Sequence, residues 1–138
     1  MRLVLDTNVV ASALLWQGPP SHLVRLAGTN EVLFFSSLPL LAELSDILSR
    51  PKFEKKIAAS LLSVDQLVEF YSELVTLVRP VCVPRIAPDP DDDVVIGTAL
   101  AAKAGLIVTG DRALLAVAEY AGGRIASVSK ALHTIAAR

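Results

Sequence analysis

The sequence has little of what several common kinds of functional site require. Its 138 residues include one cysteine, Cys82, and two histidines, which excludes an internal disulfide and a multi-cysteine zinc site. Apolar runs stay well below the roughly 20 residues that span a bilayer, and the N-terminus has no signal-peptide pattern. With no thiol pairing to favour an oxidising compartment, we expect a cytoplasmic protein that has no membrane association.

Charge is also sparse and balanced. The net charge is −1, with 20% charged and 53% hydrophobic residues, a composition that argues against disorder and predicts one globular domain over residues 1–138. No phosphate-binding glycine loop and no Gly-x-Ser-x-Gly motif occurs. The densest basic cluster consists of Arg50, Lys52, Lys55 and Lys56, which is interpreted either as a solvated face or as a contact with a nucleic-acid backbone.

Short apolar segments alternate with longer segments of helical periodicity. Strands are predicted at 3–5, 31–35, 106–109 and 125–128, and a weaker one at 80–83. Ser63 and Gln66 match a capping box and predict a helix over 63–78. Another helix is predicted over 112–120. Strands separated by helices imply right-handed parallel crossovers, so the fold class is three-layer α/β.

Four acidic residues stand where predicted strands end or predicted helices begin, namely Asp6, Glu43, Asp92 and Asp111. In an open parallel sheet the carboxyl ends of the strands form the edge at which ligands bind. Converging carboxylates repel one another unless a cation lies between them. An all-oxygen site favours a hard cation such as Mg²⁺ or Mn²⁺, so the pattern indicates metal-assisted hydrolysis of a phosphate ester. The simpler alternatives are that Asp6 and Asp111 only cap helices, and that residues 89–93 only form a solvated helix N-terminus.

Taken together, these segments resemble the PIN-domain family of metal-dependent ribonucleases. Leu5-Asp-Thr-Asn-Val9 is similar to the first family motif and Leu41-Ala-Glu-Leu44 to the second. The segment from Asp89 to Leu100 resembles the third motif, and Val108-Thr-Gly-Asp-Arg-Ala-Leu114 resembles the fourth. The likeness covers nearly the whole chain and is greatest to the small prokaryotic toxins of toxin–antitoxin (VapC-like) systems. It implies a five-stranded parallel sheet of order 3-2-1-4-5, a Mg²⁺ or Mn²⁺ cofactor, an RNA substrate and an antitoxin partner.

The resemblance also implies roles for individual residues. Asp6, Glu43, Asp92 and Asp111 take the metal-ligand and catalytic positions, while Asn8 and Thr109 orient carboxylates by hydrogen bonds. The register of the third motif leaves open whether Asp89 or Asp93 joins Asp92 at the site.

Two other functions remain as alternatives. A haloacid-dehalogenase-type phosphatase also begins with a strand that ends in aspartate, but it carries a second aspartate two residues later, where this chain has Asn8. A PIN-like module that binds RNA or protein without cutting is the other.

Apolar residues outside the motifs predict a homodimer. They are Leu61, Leu62 and the stripe formed by Leu67, Phe70, Tyr71 and Leu74. Trp16, beside a Gly-Pro-Pro turn, is interpreted either as a packing or dimer-contact residue or as a base-stacking residue.

Overall fold

The computed structural model describes residues 1–84 and 90–137, and of residues 90 and 91 only the backbone. The strands are β1 (Arg2–Leu5), β2 (Leu33–Ser36), β3 (Thr76–Leu77), β4 (Leu106–Val108), β5 (Glu119–Tyr120) and β6 (Gly123–Ala126). The helices are α1 (Thr7–Leu15), α2 (Pro19–Arg25), α3 (Leu38–Leu48), α4 (Glu54–Ser60), α5 (Val64–Leu74), α6 (Pro90–Ala102), α7 (Arg112–Val117) and α8 (Val128–Ala136). Short 3₁₀ turns lie at Leu26–Gly28 and Pro51–Phe53.

In the described ranges, the strands form one six-stranded sheet of order β3-β2-β1-β4-β6-β5. All neighbouring pairs are parallel except β5 and β6, which are antiparallel. The predicted three-layer α/β fold and the order of its five parallel strands are therefore confirmed. The predicted strand count was wrong by one, because Glu119–Tyr120, expected to end a helix, instead forms a hairpin edge with β6.

Alternate residues of the central strands face opposite layers of helices, as the two-residue period of a strand requires. Leu3, Leu5 and Val108 pack with the buried faces of α1, α2, α3, α5 and α8. Val4 and Ile107 pack on the other side against α6 and α7. Both faces of the central strands are thus covered, which explains why these strands have uninterrupted apolar sequences.

The predicted capping box is present, but several predicted boundaries need correction, among them the strand predicted at 125–128, which spans Gly123–Ala126. The Ser63 hydroxyl accepts a hydrogen bond from the Gln66 amide, and the Gln66 side chain accepts one from the Ser63 amide. However, α5 ends at Leu74, and β3 follows at Thr76–Leu77 rather than at 80–83. Pro80 lacks an amide hydrogen, so it is poorly suited to a strand that must pair with β2.

In the part of the chain that is described, no helix has both the length and the apolar character needed to cross a bilayer.

Candidate active site

The best-defined polar cluster lies at the carboxyl edge of the sheet, between β1 and β4. Leu5 pairs with Val108 in the parallel register, which places Asp6 and Thr109 side by side just beyond the strands. The Asp6 amide donates a 2.9 Å hydrogen bond to the Val108 carbonyl, so the backbone pairing continues through Asp6. The Thr109 hydroxyl donates a buried 2.6 Å bond to Asp6 Oδ2. The aspartate side chain is therefore held by the neighbouring strand end.

Asp6 occupies the N-cap position of α1 but does not cap it through its side chain. The carboxylate accepts a bond from Thr109 across the sheet edge instead. The interpretation of Asp6 as a simple helix cap is thus wrong. A buried carboxylate that does not cap its helix through the side chain needs other groups to compensate for its charge.

Asp111 is linked to Asp6 through the same threonine. The Thr109 hydroxyl accepts a 3.0 Å hydrogen bond from the Asp111 amide while it donates to Asp6. Asp111 Oδ1 accepts a 2.9 Å bond from the Ala113 amide and so caps α7. Asp111 therefore does cap α7, as one interpretation predicted, and the cap also fixes this carboxylate beside the sheet edge.

Burial and the neighbouring carboxylate both disfavour ionisation of Asp6. Asp6 is only 3% exposed, and this burial is the largest cause of its raised pKa, to which the negative charge of Asp111 adds. The hydrogen bonds from the Thr109 hydroxyl and the Thr7 backbone amide lower the pKa of Asp6 but do not outweigh burial. Ionising Asp6 at neutral pH is therefore costly in this structure, and a bound cation would offset that cost.

The first turn of α6 carries Asp92 and Asp93. The Arg2 guanidinium donates a 2.9 Å hydrogen bond to the Ala102 carbonyl, which ties the C-terminus of α6 to the amino end of β1. The 13 residues of α6 extend about 20 Å, so the helix N-terminus reaches the carboxyl edge. Asp92 is buried there and Asp93 is half-buried. The Thr98 and Ser37 hydroxyls, 2.9 Å apart in a buried hydrogen bond, fix α6 against the start of α3.

Other predicted site residues are less closely placed. Glu43 is half-buried on α3, whose N-cap, Ser37, directly follows β2. Asn8 is exposed, and its side chain makes no hydrogen bond among the described residues. Asp89 lies outside the described residues. Among the side chains that are described, no three acids, histidines or cysteines form a metal-binding group. The structure thus shows an Asp6–Asp111 pair, with Asp92 and Glu43 on adjoining helices.

One residue at this edge was missed by the sequence reasoning. Thr7 is 2% exposed, and its hydroxyl has no hydrogen-bond partner among the described residues. A buried hydroxyl without a partner is uncommon because of its desolvation cost. The signal was available in the sequence, since Thr7 directly follows the strand-ending aspartate.

The predicted basic cluster lies on the surface formed by α4 and the turn before it. Arg50, Lys52, Lys55 and Lys56 are all exposed. The Lys52 ammonium lies 5.0 Å from the centre of the Phe53 ring, and that of Lys56 lies 5.3 Å from the centre of the Trp16 ring. The sequence reasoning noted Trp16 but missed both its contact with α4 and the part played by Phe53.

A mostly parallel sheet with carboxylates and a threonine at its central carboxyl edge defines an α/β domain with an acidic edge site. The PIN domain family model matches residues 2–113. The chain therefore belongs to the PIN domain family, and the resemblance inferred from its motifs is confirmed.

The fold is shared with solved structures, of which one illustrates the likeness at low sequence identity. The crystal structure of VapBC2 from Rickettsia felis bound to a DNA fragment from its promoter contains a chain with 14% identity and a TM-score of 0.61. The match covers 92% of this chain and 98% of that one. No curated protein is similar enough to this chain in sequence to count as a match.

Proposed function

We propose that this protein is a metal-dependent endoribonuclease and the toxin of a toxin–antitoxin pair. The observation that carries the proposal is the cluster of buried Asp6, buried Thr109 and half-buried Asp111 at the carboxyl edge of β1 and β4. Membership of the PIN domain family supports a nuclease. The likeness in fold to a chain of the VapBC2 complex supports a partner of the antitoxin kind.

The residues present fit a hard divalent cation, Mg²⁺ or Mn²⁺. Asp6 is buried with a raised pKa beside a second carboxylate, and oxygen donors are those that these ions prefer. Mg²⁺ commonly uses one or two protein carboxylates together with water and substrate phosphates, which the Asp6–Asp111 pair can satisfy. Asp92 and Glu43 complete the proposed set of ligands. When bound, such a cation supplies Lewis acidity, a more acidic water and neutralisation of phosphate charge.

The remaining polar residues position this set and the substrate. The Thr109 hydroxyl keeps Asp6 Oδ2 turned towards β4, and the cap on α7 keeps Asp111 beside it. Asn8, Asp89 and Asp93 are assigned auxiliary roles in orienting the ligands. Arg50, Lys52, Lys55 and Lys56 hold RNA phosphates, because a negative pocket repels the polyanion it must cut.

The decisive experiment is RNA cleavage by protein that has been freed of metal with EDTA. We expect no cleavage in EDTA and recovery on addition of Mn²⁺ or Mg²⁺, with 5′ ends mapped on total RNA to identify the target. A preparation of Asp6→Asn, purified identically, controls for contaminating ribonuclease. Full activity in excess EDTA would refute the metal-dependent mechanism. RNA binding without cutting in every metal would instead establish the non-cleaving alternative.

A phosphatase of the haloacid-dehalogenase type receives no support from the family match. The same preparations test it with a small phosphate monoester, which we expect to remain intact under conditions in which RNA is cut.

The proposed homodimer rests on apolar residues beside a groove of about 340 Å³ between α1, α2 and α5. Leu61 is 90% exposed and Phe70 is 51% exposed. The predicted apolar stripe was wrong for Leu67 and Tyr71, which are buried in the core of the chain's own fold. We expect light scattering to show a dimer that Phe70→Glu converts to a monomer. Glu73→Gln, which also changes the charge of α5 by one unit, should leave the dimer intact. A monomeric wild-type protein at high concentration would refute the dimer.

We also propose that the protein is located in the cytoplasm. Cys82 is exposed, and a solvent-accessible thiol with no partner suits the reducing cytoplasm.

A further inference from the structure

Two aromatic rings and two lysines lie together on the surface between the end of α1 and the start of α4, away from the acidic edge. Trp16, the single tryptophan of the chain, is 40% exposed. Its ring meets Phe53 in an edge-to-face contact, with centroids 5.8 Å apart and planes at 70°. Lys56 lies over the Trp16 ring and Lys52 over the Phe53 ring. We call these four residues the aromatic–lysine surface.

Each component of this surface has a counterpart in single-stranded nucleic acid. An exposed indole can stack on any base, because every base has a π-face. The positive charges of Lys52 and Lys56, with those of Arg50 and Lys55 nearby, complement the negative phosphates. Residues 50–56 contain one acid, Glu54, so this segment is net positive. Phe53 is half-buried, so it anchors the indole from the protein side and limits the rotamer freedom that binding would otherwise have to restrict.

The relative strengths of the two contacts favour replacement of Lys56 by a base on the Trp16 ring. A cation–π contact at an exposed site stabilises by a factor of about two to five. Stacking a base on an aromatic side chain contributes a factor of about 5 to 150. A base can therefore displace Lys56 from the indole, and the released ammonium remains within reach of the adjacent phosphate.

The position of Trp16 relative to the acidic edge is set by one helix. Asp6 is the N-cap residue of α1 and Trp16 its C-cap residue, so about 15 Å of helix separates their backbones. That distance corresponds to about four nucleotides at the roughly 3.4 Å spacing of stacked bases. A single strand bound at the acidic edge can thus extend along α1 to Trp16.

We infer that the aromatic–lysine surface is a base-stacking site for single-stranded RNA, a few nucleotides away from the phosphate that is cut. This inference rests on the proposed function in taking RNA as the nucleic acid and in counting the distance from a cleavage site at the acidic edge. Single-stranded RNA is favoured over a duplex because a duplex offers no unstacked base. The tip of α1 would then help to select substrates with an accessible unpaired base at that distance from the cleavage site.

Fluorescence of the single tryptophan tests the inference directly. Asp6→Asn protein in EDTA, which cannot cut, is titrated with oligoadenylate, with an abasic ribose-phosphate oligomer of equal length, and with an RNA duplex. We expect saturable quenching of Trp16 by oligoadenylate alone. Equal quenching by the abasic oligomer would overturn the inference, because phosphates would then suffice. Quenching that depends on protein concentration and not on RNA would also overturn it, by showing that a second copy of the chain covers Trp16.

Variants separate stacking from charge. Using labelled RNA and anisotropy, we expect Trp16→Leu to weaken binding about tenfold with an unchanged salt slope, and Trp16→Phe to restore most of the loss. Lys56→Ala should lower the salt slope by about 0.7, while Lys130→Ala, an exposed lysine on α8, controls for remote charge. Equal affinities of the Trp16→Leu variant and the parent protein would overturn the inference.

The two proposals fail in distinguishable ways. Wild-type protein that cuts RNA without any quenching of Trp16 supports the nuclease and refutes the stacking site. Base-dependent quenching in a protein that never cuts RNA supports the stacking site and refutes the nuclease.

Discussion

The acidic edge and the aromatic–lysine surface carry opposite charges and are built in different ways. At the edge, Asp6 and Thr109 are buried and are placed by the backbone register of two central strands. In the turn before α4 and on α4 itself, Lys52 and Lys56 are exposed, and the contacts shown for them within the described residues are with aromatic rings. Burying a carboxylate is costly and requires a rigid scaffold, whereas an exposed ammonium requires little support. Substitutions at the edge should therefore change chemistry sharply, and substitutions on α4 should change binding gradually.

The sharpest test of this difference is Asp6→Asn. The amide can still accept the Thr109 hydrogen bond, but it removes the negative charge that a cation requires. We expect RNA cleavage to fall by at least about 1,000-fold, since metal-ion stabilisation of the transition state amounts to several kcal/mol. Asp65→Asn, at an exposed acid on α5, serves as the matched control. Cleavage by Asp6→Asn at the wild-type rate would mean that the edge is not the active site.

Gly97→Ala tests how α6 is held over the edge. The Val81 amide donates a 3.1 Å hydrogen bond to the Gly97 carbonyl, and a methyl group at residue 97 would overlap the Val81 carbonyl oxygen. We expect unfolding free energy in urea to fall by about 1–3 kcal/mol, although alanine is the better helix former. Gly105→Ala, where the added methyl meets open space, should have little effect. Equal stability of the two variants would show that the segment around Val81 can move away from α6 at little cost.

The double substitution of Lys55 and Lys56 by alanine tests the role of the basic residues on α4. Loss of two phosphate contacts should weaken RNA binding severalfold and flatten the slope of log affinity against log salt by about 1.4 for a single strand. Mapped cut sites should not change, because neither lysine belongs to the acidic edge. Affinity equal to that of the wild type at every salt concentration would identify the cluster as a solvated face.

The smallest expected effect concerns stability and pH. The pKa of Asp6 is raised above its ordinary value of 3.8, chiefly by burial, so the folded state retains the proton more firmly than the unfolded state. The stability linked to that proton is present below the unfolded pKa and is lost as pH rises through the folded pKa. In EDTA at neutral pH, Asp6→Asn should therefore melt a few degrees higher than wild type, and the difference should close as pH falls towards 4. A lower melting temperature at neutral pH would identify Asp6 as a structural residue.

The acidic edge was more predictable from the sequence than its surroundings, because it depends on where strands end. Apolar runs closed by Asp6 and by Thr109 mark two strand ends, and parallel pairing then makes them neighbours. The β5–β6 hairpin was not predictable in this way. It depends on positive φ values at Ala118 and Ala121, a conformation that alanine does not favour. Ala118 is the C-cap residue of α7, and its carbonyl accepts a 2.8 Å hydrogen bond from the Ile125 amide of β6, a contact distant from the local pattern.

The contacts that position α6 and Trp16 were also missed, for a related reason. Gly97 in an alanine-rich helix gives a weak local signal, and its partner Val81 lies in a segment without a regular pattern. Trp16 and Phe53 are 37 positions apart in the chain, and the packing of α1 on α4 brings their rings together. Local periodicity carries no information about such pairs.

The two outer strands of the sheet limit how copies of this chain can associate. β3 and β5 have two residues each, so the sheet presents little unpaired backbone to another molecule. Short edge strands of this kind disfavour growth of the sheet from one molecule into the next, the route by which exposed edges lead to aggregation. Self-association should therefore involve side chains on helices, and the protein should remain dispersed at concentrations at which a sheet with long open edges would precipitate.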